Sequence, residues 1–412
     1  MIFHKFKKIL FFKKINFYSF IKYFINKNYF LLEQKNVLFI FNFLVNIKNN
    51  FFVKINNLNI LSNNIFFYLK KKFFNNKKKF RFIFSFFDFI NFNFFEKNKY
   101  SNLNYFFIPK LFFFLKNKNK KIIIFSIIKK KIEFLSYSKK INNIILKIKN
   151  YTFNIINYKK KNINNFFIKK KFFFKNVCKI KKNIKNGNLT QCVISNQVFI
   201  KNYFKNLNIN LSKYNLFLNL KNIKIELHSP EFLIRSEYNK NYTKPIAGTT
   251  DKNHILLMIL KNKKEISEHL MLLDLSLNDL FKNNIKNFFL KRLIFCEYHK
   301  NLIHIVSELF FISKKIKKIN IIKNMFPAGT LSGSPKKSCI KLINILEKKN
   351  RNLYGGIFYF INKNHLESSI LIRIKIFFKN NILIESGAGI IEKSVNYLEW
   401  LETIIKKQIL LK

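Results

Sequence analysis

The stretch "FPAGTLSGSPK", residues 326–336, differs sharply in composition from the sequence around it. The chain consists mainly of Lys, Asn, Ile and Phe, whereas this stretch holds two glycines, an alanine and two prolines. Glycine-rich turns expose backbone N–H groups that can bind an anion. The overlapping segment "SPKKSCIKLINILEKK" predicts a helix, with Ser334 as N-cap and Pro335 at the first helical position. The passage therefore predicts a turn that exposes backbone N–H groups and leads into a helix.

The other rare small residues mark three more such turns. The chain has eight glycines, none of them among the first 186 residues, and each of its alanines adjoins a glycine. The additional turns are "PIAGTT" (245–250), "YGG" (354–356) and "SGAGI" (386–390). A bias toward residues with AT-rich codons accounts for the rest of the composition. Residues 187–412 retain what that bias would remove, so we expect the chemistry there.

The net charge of +58 raises the question of a polyanionic partner. Only five of the 78 basic residues are arginine, the side chain best suited to phosphates and base edges. The lysines are spread along the chain and do not form one stripe or tail. We therefore expect no specific nucleic-acid partner.

Cysteine spacing and the length of the apolar runs indicate the cellular compartment. The four cysteines lack a CxxC spacing, so neither a zinc site nor a disulfide framework is indicated. Apolar runs such as "KIIIFSIIKKK" are too short to span a bilayer, and no signal-peptide cleavage site follows the N-terminus. The expected location is cytoplasmic, without a membrane partner.

Strand and helix patterns are mixed along the chain. Aromatic and β-branched runs, among them "QCVISNQVF" and "KIELHSPEFLIRSE", predict strands, and "SSILIRIKIFF" and "NILIESGAGII" are expected to pair. "KKEISEHLMLLDLSLNDLFK" predicts an amphipathic helix, with apolar residues three or four positions apart. The pattern favours an α+β fold. We divide the chain into a degenerate N-terminal region, residues 1–180, and a catalytic region, residues 181–412.

Two acidic pairs have the spacing of a shared helix face. Glu265 and Glu268 lie three residues apart in one predicted helix, and Glu399 and Glu402 have the same spacing in another. Two such pairs facing one another could hold Mg²⁺, which binds one or two carboxylates and keeps several waters. Taken alone, a Glu-x-x-Glu pair is more often a solvated helix face.

Taken together, the motifs resemble those of the chorismate-utilising enzymes, and in particular the large subunit of anthranilate synthase. The matching stretches run in family order over roughly residues 187–412: "GNLTQCVISNQ", "HSPEFLIR", "KPIAGTT", "EISEHLMLLDLSLNDL", "HIVSEL", "FPAGTLSGSPK", "YGGIFYF", "ILIRI", "SGAGI" and "EWLETIIKK". The resemblance implies a fold of two large, mainly antiparallel sheets flanked by helices.

Two positions bear on the reaction that the resemblance implies. Relatives that add water to chorismate carry a lysine base where this chain has Gln191, and relatives that make aminodeoxychorismate typically carry a nucleophilic lysine where it has Ala247. The implied reaction is then amination of chorismate by ammonia, followed by loss of pyruvate to give anthranilate for tryptophan biosynthesis. A separate glutamine amidotransferase subunit (component II) would deliver the ammonia, which implies a hetero-oligomer. The alternatives are an aminodeoxychorismate synthase-like enzyme and a catalytically decayed basic binding protein. The decayed protein is disfavoured because Glu231, Arg373 and the acidic pairs are intact.

The resemblance also implies residue roles. Glu231 would be the general acid, His304 would assist the elimination, and Thr249 would hydrogen-bond a substrate oxygen. The other substrate-binding residues would be Gln191, Thr330, Tyr354, Arg373, Gly387 and Gly389. Glu268 and Glu402 would bind Mg²⁺, with Glu265 and Glu399 acting through bound water.

Some family motifs are altered here. Leu277 replaces an arginine of the helix motif, which removes one side of a structural ion pair. "LLEQ" (31–34) resembles a Leu-Leu-Glu-Ser motif of the tryptophan feedback pocket, with Gln34 in place of serine. "NLSKY" (210–214) resembles Asn-Pro-Ser-Pro-Tyr of the same pocket, without the two prolines that fix the loop. We therefore expect a weakened tryptophan site.

Overall fold

The computed structural model describes most of residues 170–411 and, before them, mainly seven strands. The described ranges are 4–11, 29–34, 37–42, 83–87, 105–107, 111–116, 121–128, 170–201, 214–220, 223–251, 263–282, 285, 287–299, 302–313, 318–347, 351–361, 364–378 and 381–411, with residues 139, 143 and 146. Side chains of residues 1–138 lie outside this description.

The first sheet has eleven strands among the described residues. In spatial order they are β1 (His4–Phe11), β7 (Lys121–Ile128), β6 (Leu111–Lys116), β3 (Val37–Asn42), β2 (Tyr29–Gln34), β9 (Tyr214–Leu220), β10 (Ile223–Ser229), β19 (Ile374–Phe377), β20 (Asn381–Ile390), β8 (Gln191–Lys201) and β16 (Gly333–Ser334). Every pairing in this sheet is antiparallel.

The second sheet has nine strands among the described residues and is likewise antiparallel. They are β13 (Ile246–Asp251), β15 (Leu302–Ile312), β12 (Lys240–Thr243), β11 (Arg235–Glu237), β18 (His365–Ile370), β17 (Ile357–Ile361), β4 (Ile83–Phe87) and β5 (Tyr105–Phe107), with β14 (Phe288–His299) paired to β15. Strands from the first 180 residues thus join both sheets.

Six helices are present in the described part of the chain. They are α1 (Lys170–Lys185), α2 (Lys263–Phe281), α3 (Lys318–Met325), α4 (Gly329–Ser332), α5 (Lys336–Leu346) and α6 (Asn396–Leu411). Within the described ranges, no helix combines the length and hydropathy that a bilayer-spanning segment requires.

The main hydrophobic core lies between the two sheets and α2–α4. Leu227 and Ile376 from the first sheet and Leu309 and Ile357 from the second belong to one buried cluster. A second cluster packs α1 and α5 against β8 and β20, around Ile194 and Ala388. The α+β fold with two antiparallel sheets and flanking helices is confirmed.

Local predictions held best where the pattern is continuous. The helix predicted from residue 263 forms over Lys263–Phe281, and β8 covers the predicted strand from residue 191. The Ser334 N-cap was wrong, because α5 begins after Pro335 without a side-chain cap. Ser334 instead lies in β16 opposite Gln191, where its carbonyl accepts the N–H of Thr190.

Two predicted strands are interrupted, and both interruptions carry a residue of the candidate site. "KIELHSPEFLIRSE" separates into β10 and β11, because Pro230 has no N–H for the ladder. "SSILIRIKIFF" separates into β18 and β19, with Arg373 between them at a φ of 54°. Only β19 then pairs with β20 as predicted, while β18 belongs to the second sheet.

Candidate active site

The chain passes between the two sheets twice at neighbouring positions. Residues 230–234 lead from β10 in the first sheet to β11 in the second, and residues 371–373 lead from β18 back to β19. Backbone hydrogen bonds join the two crossings, since the N–H of Ile370 donates to Glu231 O and that of His228 donates to Arg373 O, each at 3.2 Å. The crossings therefore place Glu231 and Arg373 side by side.

Glu231 also contacts the glycine-containing turn of residues 326–336. Oγ1 of Thr330, in α4, donates a hydrogen bond of 3.1 Å to Oε1 of Glu231. Burial lowers the pKa of Arg373 to about 10, although the charge of Glu231 favours its protonated form. A carboxylate, a hydroxyl and a buried guanidinium thus come together, a set suited to an anionic substrate that must exchange a proton.

A second group of predicted residues meets on β8 and β20. The amide Nε2 of Gln191 donates a hydrogen bond of 3.0 Å to Oε1 of Glu268, which is in α2. Both side chains lie against Gly389, where a Cβ would come within 2.5 Å of Glu268 Oε1 and 2.8 Å of Gln191 Nε2. A Cβ at this position would push both side-chain ends out of their present hydrogen bond.

Gly387, two residues before Gly389, contacts a third group. A Cβ at Gly387 would lie 2.9 Å from Tyr354 Oη. The ammonium of Lys406 donates to Gly387 O at 3.0 Å and pairs with Glu402 Oε1 at 2.5 Å. Burial, more than the nearby charges, raises the pKa of the Tyr354 phenol and keeps it a neutral donor. Tyr354 and the Lys406–Glu402 pair therefore lie at Gly387, while Gln191 and Glu268 lie at Gly389.

His304 lies on β15, opposite Thr249 of β13 in the strand register. It is buried, with 3% of its surface exposed. The side chain of Thr249 lies outside the described part of the structure, so its predicted role stays a prediction. A register shift between Ala247 and Thr249 marks a bulge at Gly248, a feature that re-aims side chains next to active sites.

A buried histidine ties α2 to this strand. His269, adjacent to Glu268, has its Nε2 2.6 Å from Ser307 Oγ, and Ser307 Oγ accepts the N–H of Ile294 at 3.1 Å. Burial lowers the pKa of His269 to about 4, so a neutral ring shares this hydrogen bond with the hydroxyl of Ser307 at pH 7. This contact fixes the helix that carries Glu268 relative to the strand that carries His304.

The predicted Mg²⁺ ligands Glu268 and Glu402 both lie near the Gly387–Gly389 segment, and their metal role stays a prediction. Glu268 and Glu402 belong to different helices. Glu268 lies against Gly389 together with Gln191, and Glu402 pairs with Lys406, which donates to Gly387 O. In the described ranges, no three His, Cys, Asp or Glu side chains converge on one point. Mg²⁺ commonly takes one or two carboxylates and completes its coordination with water and substrate. The outer roles of Glu265 and Glu399 stay predictions, with Glu399 buried at 1% exposure.

A buried acid continues the same face of β20. Glu385 accepts hydrogen bonds from Ser195 Oγ at 2.5 Å and Gln197 Nε2 at 3.0 Å. Burial, with the charge of Glu347, raises the pKa of Glu385 to about 8. Lys407 is fully buried nearby, and burial lowers its pKa to about 7.

Three charged residues at the site were missed in the sequence analysis. Lys406 follows Glu402 by four residues, a helix spacing that could have revealed it. Lys336, at the end of the opening motif, pairs with Asp279 and donates to Met325 O at 2.8 Å. Asp279 therefore keeps a buried ion pair although Leu277 stands in the arginine position of its motif. Arg351, in no quoted motif, packs against the Tyr354 ring at 5.8 Å.

Comparison with known proteins identifies the family. The sequence profile described as chorismate binding enzyme matches residues 40–412. The chain belongs to the chorismate binding enzyme family. This match takes in all the sequence-predicted site residues.

Individual members of the chorismate binding enzyme family resemble about half of the chain. Anthranilate synthase component 1 of Aquifex aeolicus is 33% identical over 219 residues, which cover 50% of this chain and 43% of that protein. The same component from Saccharolobus solfataricus is 34% identical over 214 residues, 49% of this chain and 50% of that protein. The chain thus matches about half the length of these curated relatives.

Solved structures of the family share the fold. The anthranilate synthase component I of Streptococcus pneumoniae TIGR4 superposes with a TM-score of 0.69 at 20% identity, covering 98% of this chain and 92% of that one. The menaquinone-specific isochorismate synthase of Escherichia coli gives a TM-score of 0.72 at 14% identity, covering 99% and 94%. Members with different reactions therefore share this architecture.

Proposed function

We propose that this chain is the large subunit of an anthranilate synthase, which converts chorismate and ammonia to anthranilate, pyruvate and water. The observation that carries the proposal is the amide of Gln191, which donates to Glu268 at 3.0 Å. A carboxamide has no basic lone pair and cannot activate water as the lysine of water-adding relatives would. Similarity to anthranilate synthase components, at 33% identity over half of this chain, supports the same choice.

The proposed nucleophile comes from outside the chain. Ala247, buried at 8% exposure, offers no amine where aminodeoxychorismate synthases typically carry lysine. Free ammonia would attack C2 of the chorismate ring while the C4 hydroxyl leaves. A separate glutamine amidotransferase subunit would supply that ammonia in the assembled enzyme.

The two crossings between the sheets would carry the first half of the reaction. Glu231, held by Thr330 at 3.1 Å, would be protonated when substrate closes the pocket and raises its pKa, and would then protonate the departing C4 hydroxyl, which leaves as water. Arg373 would pair with the enolpyruvyl carboxylate, because its buried guanidinium lies beside Glu231. Tyr354 and the backbone at Gly387 would complete the contacts to that carboxylate.

The second half is loss of the enolpyruvyl group as pyruvate. The ring loses the C2 proton, the C–O bond to the enolpyruvyl group breaks, and the ring becomes aromatic. The departing group gains one proton at its methylene carbon and leaves as pyruvate. His304, in register with Thr249, would assist this elimination.

Glu268 and Glu402 would hold Mg²⁺ at the Gly387–Gly389 segment. The ion would supply electrostatic binding of the ring carboxylate and screen it from the glutamates. Gln191 and Lys406 orient the two carboxylates in the structure.

The proposal is tested by fluorescence detection of anthranilate from chorismate, Mg²⁺ and ammonium with the purified chain. Parallel chromatography would detect isochorismate and aminodeoxychorismate. Anthranilate formation is the expected result. Either other product, or chorismate binding without turnover, would contradict the proposed function.

A further inference from the structure

The edge of β8 is completed by an ion pair where the neighbouring strand stops. Among the described residues, β16 pairs with β8 only at Gln191 and Cys192. Beyond Cys192 on the same strand, Arg351 Nη2 donates to Val193 O at 2.8 Å, and Glu347 Oε1 accepts the N–H of Ser195 at 2.6 Å. Two side chains thus make the pair of hydrogen bonds that a continuing strand would make.

Arg351 also holds the substrate turn. Its Nη1 donates to Leu331 O at 2.7 Å, one residue after Thr330. Its remaining donors form a two-pronged contact with Glu347, Nε to Oε2 at 2.7 Å and Nη2 to Oε1 at 2.6 Å. The planar guanidinium therefore sets the distance between the Thr330 turn and strand β8.

Both partners are buried, and the pair is strongly ionic. Side-chain exposure is 1% for Arg351 and 7% for Glu347. Although burial acts to lower the pKa of Arg351, the Glu347 carboxylate outweighs it and raises that pKa. Removing one partner would leave a buried charge, whereas changing its geometry tests position at constant charge.

We propose that the Glu347–Arg351 pair is a positioning device for the substrate site. The pair fixes the Thr330 turn against strand β8. Thr330 donates a hydrogen bond to Glu231, and β8 carries Gln191 and pairs with β20 at Gly387. The inference rests on the proposed function for the identity of the ligand, chorismate. Because the pair sets the position of the Thr330 turn, we expect its loss to weaken ligand binding and not to lower stability alone.

Arg351→Lys is the decisive variant. Lysine keeps the charge, but a single ammonium cannot reproduce a planar fork that reaches Leu331, Val193 and Glu347 together. The dissociation constant of chorismate, measured by calorimetry on the full chain with Mg²⁺, is expected to rise about 10- to 100-fold, the effect of about one lost hydrogen bond to the ligand. The measurement is made at a temperature where circular dichroism shows both proteins fully folded.

Arg235→Lys is the matched control. Arg235 bonds Glu237 at 2.9 Å and pairs with Glu367 at 3.1 Å, but it lies in β11 of the second sheet. Its replacement is expected to change the chorismate dissociation constant less than about twofold. An equal loss in both variants would show a general effect of losing a guanidinium and would overturn the proposal.

Chemical rescue by guanidinium distinguishes a positioning role of Arg351 from a purely stabilising one. Arg351→Ala is expected to regain chorismate affinity with added guanidinium chloride, and not with equal sodium chloride or urea. If neither Arg351 variant folds, Glu347→Gln carries the test, because its amide keeps the acceptor for Ser195 but loses the charge. A lowered melting temperature with unchanged chorismate affinity in the folded variant would overturn the inference.

The outcomes distinguish this inference from the proposed function. If the wild-type chain binds chorismate but forms no anthranilate, the proposed function fails and the positioning role is still decided by the binding constants. If it forms anthranilate and Arg351→Lys binds chorismate normally, only the positioning role fails. A wild-type chain that does not bind chorismate overturns both.

Discussion

The side-chain amide of Gln191 donates to the carboxylate of Glu268 across the Cα of Gly389, at 3.0 Å. The carboxylate is thereby oriented by a neutral donor that leaves its charge intact. Glu402 reaches the same strand with Lys406 as its partner. Two oriented carboxylates of different helices are a starting point for a Mg²⁺ site.

Glu268→Gln and Glu402→Gln are each expected to raise the Mg²⁺ concentration for half-maximal activity about 10- to 100-fold. The Mg²⁺-dependent rise in melting temperature should be lost in both, which gives a readout independent of turnover. Glu392→Gln, at an exposed position, is the control. Full activity in excess EDTA would exclude the metal role.

Glu231→Gln is expected to lower kcat about 10²- to 10⁴-fold, because an amide cannot protonate the leaving hydroxyl. The amide still accepts the Thr330 hydroxyl, so the chorismate dissociation constant should change less than about threefold. Steady-state kinetics with ammonium and a binding titration measure the two effects. Glu237→Gln, on an exposed side chain, serves as control. A kcat near the wild-type value would remove Glu231 from the acid role.

The purified chain is expected to use ammonium and not glutamine as nitrogen donor. The sequence contains no glutaminase motif, and its cysteines do not lie in a nucleophile turn. Anthranilate formation with glutamine should appear only after a separate amidotransferase subunit is added. Glutamine-dependent activity of the chain by itself would contradict this prediction.

Tryptophan is expected to inhibit weakly. The two altered pocket motifs meet in the structure, with Gln34 of β2 in register with Tyr214 of β9, while residues 210–213 lie outside the described residues. One lost hydrogen bond with its desolvation cost is worth ~1–3 kcal/mol, about one to two decades of affinity. Titration of tryptophan against ammonia-dependent activity measures this. Strong inhibition competitive with chorismate would show that the pocket survives Gln34, Leu211 and Lys213.

The buried acid Glu385 is expected to make folding stability depend on pH. Its pKa is raised from 4.5 to about 8, mainly by burial. The folded chain therefore keeps this proton where the unfolded chain loses it, so the stabilisation is full below pH 4.5 and is lost as the pH rises through 8. Glu385→Gln cannot titrate, and its unfolding free energy relative to wild type should increase between pH 5 and 8 by on the order of 2–4 kcal/mol.

Urea unfolding at pH 5, 6, 7 and 8 measures that difference. Glu347, Arg351 and Lys407 act on Glu385 electrostatically and are unchanged in both proteins. Glu308→Gln, on a partly exposed carboxylate, is the control for replacing a glutamate outside the buried site. A flat difference for Glu385→Gln would mean that Glu385 is ionised at neutral pH.

The sequence predicted elements whose signal is local and repeated. Helix α2 was predicted within one residue of its ends, because its apolar spacing is continuous over five turns. The motif around residues 326–336 correctly indicated a turn followed by a helix. In the site, the contacts Thr330–Glu231 and Gln191–Glu268 join residues that the resemblance had selected.

Features that depend on distant partners were not predictable in this way. The division of "SSILIRIKIFF" between two sheets depends on the backbone of Arg373 and on hydrogen bonds to His228, far away in sequence. Ser334 lost its predicted cap role because its backbone pairs with β8. The bonds of Arg351 to Val193 O and Leu331 O involve main-chain carbonyls, which no side-chain pattern can reveal.

The two neighbouring crossings, residues 230–234 and 371–373, make the position of the reactive groups depend on the packing of the core. Glu231 and Arg373 sit side by side where the chain crosses from one sheet to the other, so the packing of the layer between the sheets affects the position of both groups at once. A larger side chain at Leu227 or Ile357, both in the core between the sheets, would displace the two crossings without touching the substrate. The volume of that layer therefore constrains the reactive groups as well as the stability of the fold.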